Sequence, residues 1–137
     1  MKSYLLDTNI CVFYLRDKYD VWKYIDEQIG LENCYISEIT VAELKFGEEL
    51  GRRKGVFKKD NYLDGFLSSV NILPISSAID LFAEEKARLQ TNGTPCEDNF
   101  DLLIGCTAVV NDMIMVTENI KDFKNISSIQ LENWIKR

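Results

Sequence analysis

The sequence predicts an α/β domain of three layers, α/β/α, in which helices cover both faces of a central and mostly parallel sheet. Short apolar segments with the composition of strands alternate along the chain with longer segments that have helical periodicity. This alternation is typical of parallel sheets, because neighbouring parallel strands are usually joined through a helix. With 137 residues, 46% of them hydrophobic, the chain is long enough to bury its own core. We expect residues 1–137 to form a single domain.

The first half of the chain predicts two strands and four helices. The segments "SYLL" and "NCYIS" have the composition of buried strands. Helical spacing of apolar residues predicts three helices, in chain order "NICVFYLR", "VWKYIDEQIG" and "EITVAELKFGEEL". Gly30 is expected to end the second of these. A fourth helix over residues 56–70 would place most of its apolar residues on one face: Phe57, Leu63, Phe66, Leu67 and Val70.

The second half predicts three strands and two helices. The segment "NILPI" is a strand that Pro74 ends, "MIMVT" is the fourth strand and "SIQLE" a fifth. The helix "AIDLFAEEKARLQ" follows Ser76 and Ser77, either of which is a good N-cap residue. In the helix "DLLIGCTAVVND", no charged residue occurs from Leu102 to Val110, so we expect this helix to be buried against the sheet.

The composition excludes several kinds of catalytic site. The chain has no histidine, which removes Ser-His and Cys-His triads and histidine metal ligands. Its four cysteines form no CxxC pair, so buried free thiols are expected rather than a zinc site. We expect no membrane span, since no apolar run approaches ~20 residues, and no signal peptide, since the apolar start "MKSYLLDTNI" is short and soon acidic. A cytoplasmic location is therefore expected. The net charge of −6 argues against general affinity for nucleic acid and leaves a local site open.

Polar side chains follow two of the predicted strands. Asp7 comes directly after the first strand, and Asn119 lies just past the fourth, preceded by Thr117 and Glu118. The carboxyl ends of parallel strands share one edge of the sheet, and binding sites form at that edge. We therefore expect these side chains to meet.

Two further carboxylates point to the same edge. Ile39, Ala42, Phe46 and Leu50 define an apolar helix face, and Glu43 falls inside it, where a lone carboxylate is costly. Glu43 therefore either belongs to a polar pocket or pairs with a lysine at the edge of that face.

Asp101 lies in the first turn of the buried helix, with Asp98 three residues earlier as a candidate N-cap. Acids favour helix N-termini in general, which accounts for Asp98 better than for Asp101.

Three carboxylates gathered in one place raise each other's pKa values, and a divalent cation relieves that repulsion. Oxygen ligands without Cys or His select hard ions, so Mg²⁺ or Mn²⁺ is expected among Asp7, Glu43 and Asp101. Such an ion lowers the pKa of a bound water and neutralises the charge of a phosphoryl transition state. Thr8 and Asn9 would begin the next helix and line the pocket.

The motifs together resemble those of the PIN-domain ribonucleases, and among them the VapC-type toxins of bacterial toxin–antitoxin pairs. The similarity extends over almost the whole chain and rests on five segments: "LLDTNI", "ISEITVAELKFG", "FDLLIGCTAV", "MVTENIKDF" and "QLENW". The resemblance implies a PIN-like fold and Mg²⁺-dependent hydrolysis of RNA phosphodiester bonds. It implies that Asp7, Glu43 and Asp101 are the acidic triad. Many family members have an acid at the fourth catalytic position, where this chain has Asn119, flanked by Glu118 and followed by Asp122.

A basic segment, "GRRKGVFKK", lies just beyond the Glu43 helix. Its cations, with no acid between them, are Arg52, Arg53, Lys54, Lys58 and Lys59. They form either a patch that holds RNA phosphates or an ordinary solvated helix surface. Asn9, Thr117 and Asp122 are further candidates for contacts with substrate.

The resemblance also implies partners: RNA, a VapB-type antitoxin and a second copy of the chain in a homodimer. An antitoxin Arg or Lys can replace the metal's charge among the carboxylates. Apolar residues of the early helices form either ordinary core or an anchor for such a partner: Val12, Phe13, Val21, Trp22 and Ile25.

The alternative functions are those of a housekeeping or DNA-directed nuclease of the same fold and of a non-catalytic PIN-like binding domain. An aspartyl phosphatase would need an acid where the chain has Asn9, and a receiver domain needs a phosphoacceptor where it has "ILPIS".

Overall fold

A computed structural model describes residues 2–56 and 62–137 of the chain. Five strands form one parallel sheet in the order β3-β2-β1-β4-β5. They are β1 (Tyr4–Leu6), β2 (Cys34–Ser37), β3 (Asn71–Leu73), β4 (Ile114–Val116) and β5 (Gln130–Glu132). Helices flank this sheet, so the predicted three-layer α/β/α fold with a parallel sheet is confirmed.

Six α-helices occur in the described part of the chain. They are α1 (Thr8–Leu15), α2 (Glu38–Arg53), α3 (Tyr62–Ser69), α4 (Ile79–Thr91), α5 (Asn99–Val110) and α6 (Ile120–Phe123). The predicted helix over 56–70 is therefore present from Tyr62 onward, whereas Phe57, Lys58 and Lys59 lie outside the described residues. No helix in the described ranges is long and apolar enough to cross a membrane.

Two local predictions are corrected by the structure. The segment after α1 is a π-helix (Lys23–Ile29) rather than an α-helix, although Gly30 ends it as expected, in a left-handed conformation at φ 89°. Neither serine caps α4: a 3₁₀ turn (Ser76–Ala78) precedes it, and its N-cap residue is Ala78, with no side-chain hydrogen bond.

The core lies on both faces of the sheet. Leu5 and Leu6 point to opposite faces, as the alternation of a strand requires, and each joins a different apolar cluster. Helix α5 is buried nearly all round, as predicted, and Gly105 lets it approach the chain after α6. A Cβ atom at Gly105 would lie 2.6 Å from Cδ1 of Ile126. Val21 and Ile25 are fully buried, which favours core for them over a partner anchor.

The four cysteines are free thiols, as predicted, and Cys11, Cys34 and Cys106 are buried. The predicted burial is wrong for Cys96, which is partly exposed in the loop before α5.

Candidate active site

Asp7 joins the ends of two neighbouring strands. Its backbone N–H donates to the Val116 carbonyl at 2.9 Å, which continues the β1–β4 pairing past the end of β1. Its carboxylate accepts from the Thr8 N–H at 2.8 Å, as the N-cap of α1, and from the Thr117 hydroxyl at 2.7 Å. Asp7 is only 5% exposed. The polar residues after β1 and β4 therefore meet at the carboxyl edge of the sheet, as the sequence predicts.

Glu43 reaches the same place from α2. The Thr8 hydroxyl donates to Oε1 of Glu43 at 2.6 Å and lies 3.0 Å from the Thr40 hydroxyl, which connects the start of α1 to α2. The apolar face of α2 on which Glu43 was predicted to lie is, however, not buried, so that part of the prediction is wrong. Phe46 is 67% exposed and Leu50 39% exposed. The buried positions of α2 are Thr40 and Leu44, so Glu43 lies at the border of the buried side.

Asp101 lies in the first turn of α5, behind Asp98. Asp98 is the N-cap, as predicted, and accepts from the N–H groups of Phe100 and Asp101. Burial raises the pKa of Asp101 to about 7, with further contributions from Asp98, Asp7, Glu43 and Asp122. Burial also raises the pKa of Asp7; the Thr117 and Thr8 hydrogen bonds offset part of this effect, and Glu43 and Asp122 add to it. These carboxylates therefore act on one another electrostatically.

The donor set of this acid cluster (Asp7, Glu43, Asp101 and Asp122) fits a hard divalent cation. Every donor is an oxygen, and the raised pKa values are what a cation among the carboxylates would reverse. Oδ1 of Asn9 is also buried and accepts no hydrogen bond from any described residue. In the described ranges, no three Asp, Glu, Cys or His side chains lie close enough together to bind one metal ion in the present arrangement.

The structure separates the three candidates for the fourth acidic position. Glu118 accepts two hydrogen bonds from Arg137, at 2.5 and 3.1 Å, which lower its pKa and occupy its carboxylate. Asp122 acts electrostatically on both Asp7 and Asp101. Asn119 is exposed, and its backbone N–H donates to the Thr117 hydroxyl at 3.0 Å. Asp122 therefore belongs to the acid cluster, whereas Asn119 is held beside it through Thr117.

The basic segment is partly neutralised by its own helix. Arg52 pairs with Glu49 at 2.5 Å and with Glu48 at 3.6 Å, and Arg53 pairs with Glu49 at 3.1 Å. Exposed pairs of this kind contribute little to stability but reduce the positive charge that a phosphate would meet. Lys54 is exposed. Contact of Arg52, Arg53 and Lys54 with RNA stays a prediction.

Two features of the site carry no signal in the sequence. The Thr8–Glu43 hydrogen bond joins residues 35 positions apart, and the Glu118–Arg137 pair joins residues 19 apart. Both depend on the tertiary fold. A threonine after Asp7 predicts only a helix start, and an arginine at position 137 predicts nothing about Glu118.

A parallel sheet of this order, with acidic side chains gathered at its carboxyl edge, defines an α/β domain whose site suits a hard divalent cation. The PIN domain family model matches residues 4–128, and the chain belongs to this family. The resemblance to its VapC-type members is confirmed by the relatives.

Two curated relatives match almost end to end. Ribonuclease VapC2 of Rickettsia felis is 36% identical over 135 residues, which are 97% of this chain and 98% of that protein. The tRNA(fMet)-specific endonuclease VapC of Salmonella typhimurium is 30% identical over 139 residues, 98% of this chain and 99% of that protein.

Solved structures agree with the sequence relatives. VapBC2 from Rickettsia felis, bound to a DNA fragment from its promoter, superposes with a TM-score of 0.82 at 32% identity and covers 96% of this chain and 98% of that one. DNA-bound VapBC from Salmonella typhimurium gives a TM-score of 0.82 at 28% identity, with 98% of this chain and 99% of that one covered.

The raised pKa of Asp101 makes a prediction about stability. A folded-state pKa of about 7 exceeds the unfolded value of roughly 3.9, so the carboxyl group favours folding below about pH 4 and this contribution is lost as the pH rises toward 7. Asp101→Asn cannot ionise. We expect it to raise the free energy of unfolding at pH 8 by about 1–2 kcal/mol, a value reduced from the full shift because Asp101 is partly exposed to solvent.

Thermal or urea unfolding at pH 4 and pH 8 measures this difference. The gain should be absent at pH 4, and Mg²⁺ at pH 8 should reduce it by stabilising the wild type alone. Asp80→Asn, an exposed change in the first turn of α4, is the matched control: it removes a charge that is favourable at a helix N-terminus, so it should not raise the free energy of unfolding at either pH. Equal gains at both pH values would show that charge repulsion at Asp101 is not the cause.

Proposed function

We propose that the chain is an endoribonuclease that requires Mg²⁺, with Mn²⁺ able to replace it, and that it is the toxin of a type II toxin–antitoxin pair. The observation that carries this proposal is that Asp7 and Glu43 are joined through Thr8 at the carboxyl edge of the sheet, with Asp101 and Asp122 close enough to act on Asp7 electrostatically. The names of the relatives, ribonuclease VapC2 and tRNA(fMet)-specific endonuclease VapC, support the reaction class.

Asp7, Glu43 and Asp101 would hold the ion, with Asp122 adding negative charge beside them. When bound, the ion lowers the pKa of water and neutralises charge on the phosphoryl group. The threonine hydroxyls orient the ligands: Thr117 donates to Asp7, and Thr8 donates to Glu43. Each hydroxyl leaves the other oxygen lone pairs of its carboxylate available to a cation.

Asn119 is the proposed neutral member of the catalytic set. Its backbone is tied to Thr117, which also holds Asp7, so its position depends on the same hydroxyl. An exposed amide at this place can donate to a phosphate oxygen or accept from a water. Asn9, with its unpartnered buried oxygen, is proposed to contact the ion or its water.

The substrate we propose is RNA with a folded structure, and tRNA is the first to test because of the Salmonella typhimurium relative. The partner we propose is a VapB-type antitoxin, supported by the VapBC complexes among the structural neighbours. A basic antitoxin side chain would meet the acid cluster in place of the ion. We further propose a homodimer, which the resemblance implies, and a cytoplasmic location, which the sequence predicts.

Incubation of the purified protein with total RNA and with tRNA tests the reaction. We expect discrete cleavage products with Mg²⁺ or Mn²⁺ and none when EDTA is in excess, because uncompensated carboxylates repel the phosphate. Single-stranded and duplex DNA should stay intact. Cleavage that continues in EDTA, or that acts on DNA and not on RNA, would contradict the proposal.

A further inference from the structure

A cavity of about 420 Å³ lies directly beside the acid cluster. One wall is the loop before α5, with Thr94, Pro95 and Cys96, and the other is the chain from Lys121 to Ile126. Asp101 lines this cavity and also belongs to the acid cluster, so the two are contiguous. The volume is in the range of ligand-binding pockets, roughly 300–1,000 Å³.

An ion pair between the buried Glu85 carboxylate and the partly exposed Arg88 holds one wall of the cavity in place. Glu85 is 5% exposed and accepts two hydrogen bonds from Arg88, both at 2.8 Å, which lower its pKa to about 2. Arg88 also donates to the carbonyl of Asn125 at 2.6 Å, and Glu85 accepts from the N–H of Ser127 at 2.6 Å. Both hydrogen bonds use backbone groups of the segment, so neither occupies the side chain of Asn125. The side chain of Asn125 therefore remains available to the cavity that it lines.

The opposite wall is connected to the first through Cys96. Its thiol contacts the Asp98 carbonyl at 3.6 Å and the Asp122 carbonyl at 4.0 Å, so it touches both sides of the cavity. Leu89 and Ile126, both buried, add an apolar surface. The cavity thus combines an apolar surface with hydroxyl and amide groups from Thr94 and Asn125.

The charges around the cavity limit what it can bind. Lys121 is the single cation among the described lining residues, and it is exposed. The acids that line the cavity are Glu97, Asp98, Asp101 and Asp122. A small free anion would be repelled by these acids. A ligand that carries a phosphate toward Lys121 and a neutral hydrogen-bonding ring into the cavity satisfies both kinds of lining group.

We propose that this cavity is a nucleotide subsite, in which the RNA nucleotide next to the scissile phosphate places its base between Thr94 and Asn125 and a backbone phosphate against Lys121. The inference rests on the proposed ribonuclease function, because the acid cluster fixes where the scissile phosphate lies. Lys121 is a positioning residue here, and it contacts a phosphate that is not cleaved. An ammonium group acts on such a phosphate as a point charge.

The test compares two lysines of one short segment. Lys121→Ala removes the cation that lines the cavity, whereas Lys124→Ala removes an exposed cation at the end of α6 that does not line it. The RNA is the one that the wild type cleaves with Mg²⁺. We expect Lys121→Ala to raise KM about tenfold with kcat within about twofold of wild type, and Lys124→Ala to change neither. Lys121→Arg keeps the charge and should restore KM.

Two further measurements distinguish the phosphate contact of Lys121 from the fit of a base in the cavity. Losing one phosphate contact should reduce the slope of log KM against log salt by about 0.7 in Lys121→Ala. Thr94→Trp, at an exposed position, fills the cavity and should raise KM without changing that slope. If the wild type cleaves RNA and Lys121→Ala behaves as Lys124→Ala, the subsite is wrong and the proposed function stands. If the wild type cleaves no RNA, both are wrong.

Discussion

Asp7→Asn and Asp101→Asn are each expected to reduce RNA cleavage at least about a hundredfold, since even the outer-shell partners of metal ligands cost about 10–100-fold when removed. Each change removes a charged oxygen ligand at nearly constant volume. Asparagine is also a good N-cap residue, so Asp7→Asn should keep the Thr8 N–H bond and the start of α1. The loss of activity should therefore occur in a folded protein.

Initial rates of cleavage at saturating Mg²⁺ measure the effect, with circular dichroism and thermal unfolding to verify the fold. The control is Asp80→Asn, which removes an exposed carboxylate of α4 and should retain full activity. Neither site variant should unfold at a lower temperature than the wild type. Wild-type rates in Asp101→Asn would exclude this carboxylate from the reaction, and unfolding of the variant would make its rate uninformative, in which case Asp7→Asn decides.

Expression of the active chain in bacteria is expected to stop growth, whereas the Asp101→Asn chain should be tolerated. Coexpression with the product of the gene directly upstream should restore growth, and the two proteins should purify together. The physical reason is charge replacement: an Arg from the partner can bond two carboxylate oxygens at once where the ion would otherwise bind. Colony counts under induction and co-purification on a tagged antitoxin are the measurements.

The same experiment distinguishes the toxin from a housekeeping nuclease. If the chain is a toxin, bacteria should tolerate its active form only when the partner is coexpressed. The partner should also suppress RNA cleavage in a purified reaction. If cells tolerate the active chain alone and the upstream product leaves its cleavage rate unchanged, the toxin–antitoxin assignment is wrong. The ribonuclease activity would still stand.

Much of the fold could be predicted because its signals are local. Apolar strands that alternate with helices specify a parallel sheet, and a carboxylate after an apolar strand places Asp7 at the carboxyl edge. The contacts between elements could not be predicted in this way. Nothing local indicates that Thr8 bonds to Glu43, or that Glu85 and Arg88 hold the chain at Asn125.

The case of Glu43 shows where such reasoning fails. A helical wheel identifies an apolar stripe but does not say whether that stripe is the side that packs. In α2 the stripe with Phe46 and Leu50 is exposed, and the helix is buried through Thr40 and Leu44 instead. Glu43 does lie near Asp7 and Asp101, as predicted, but not because it belongs to a buried apolar face. The π-helix is a similar case, since its apolar spacing matches an ordinary helix.

The chemistry of the cleaved ends tests most directly whether this acid cluster hydrolyses RNA. When water attacks the phosphorus, its oxygen joins the phosphate, the bond to the 3′ oxygen breaks, and that oxygen takes up a proton. Products of the purified protein with Mg²⁺ should therefore carry a 5′-phosphate and a 3′-hydroxyl, detected by ligation and by end-specific phosphatase and kinase treatment. Products with a 2′,3′-cyclic phosphate and a 5′-hydroxyl would mean that the RNA's own 2′-hydroxyl is the nucleophile, and would contradict hydrolysis by water at the acid cluster.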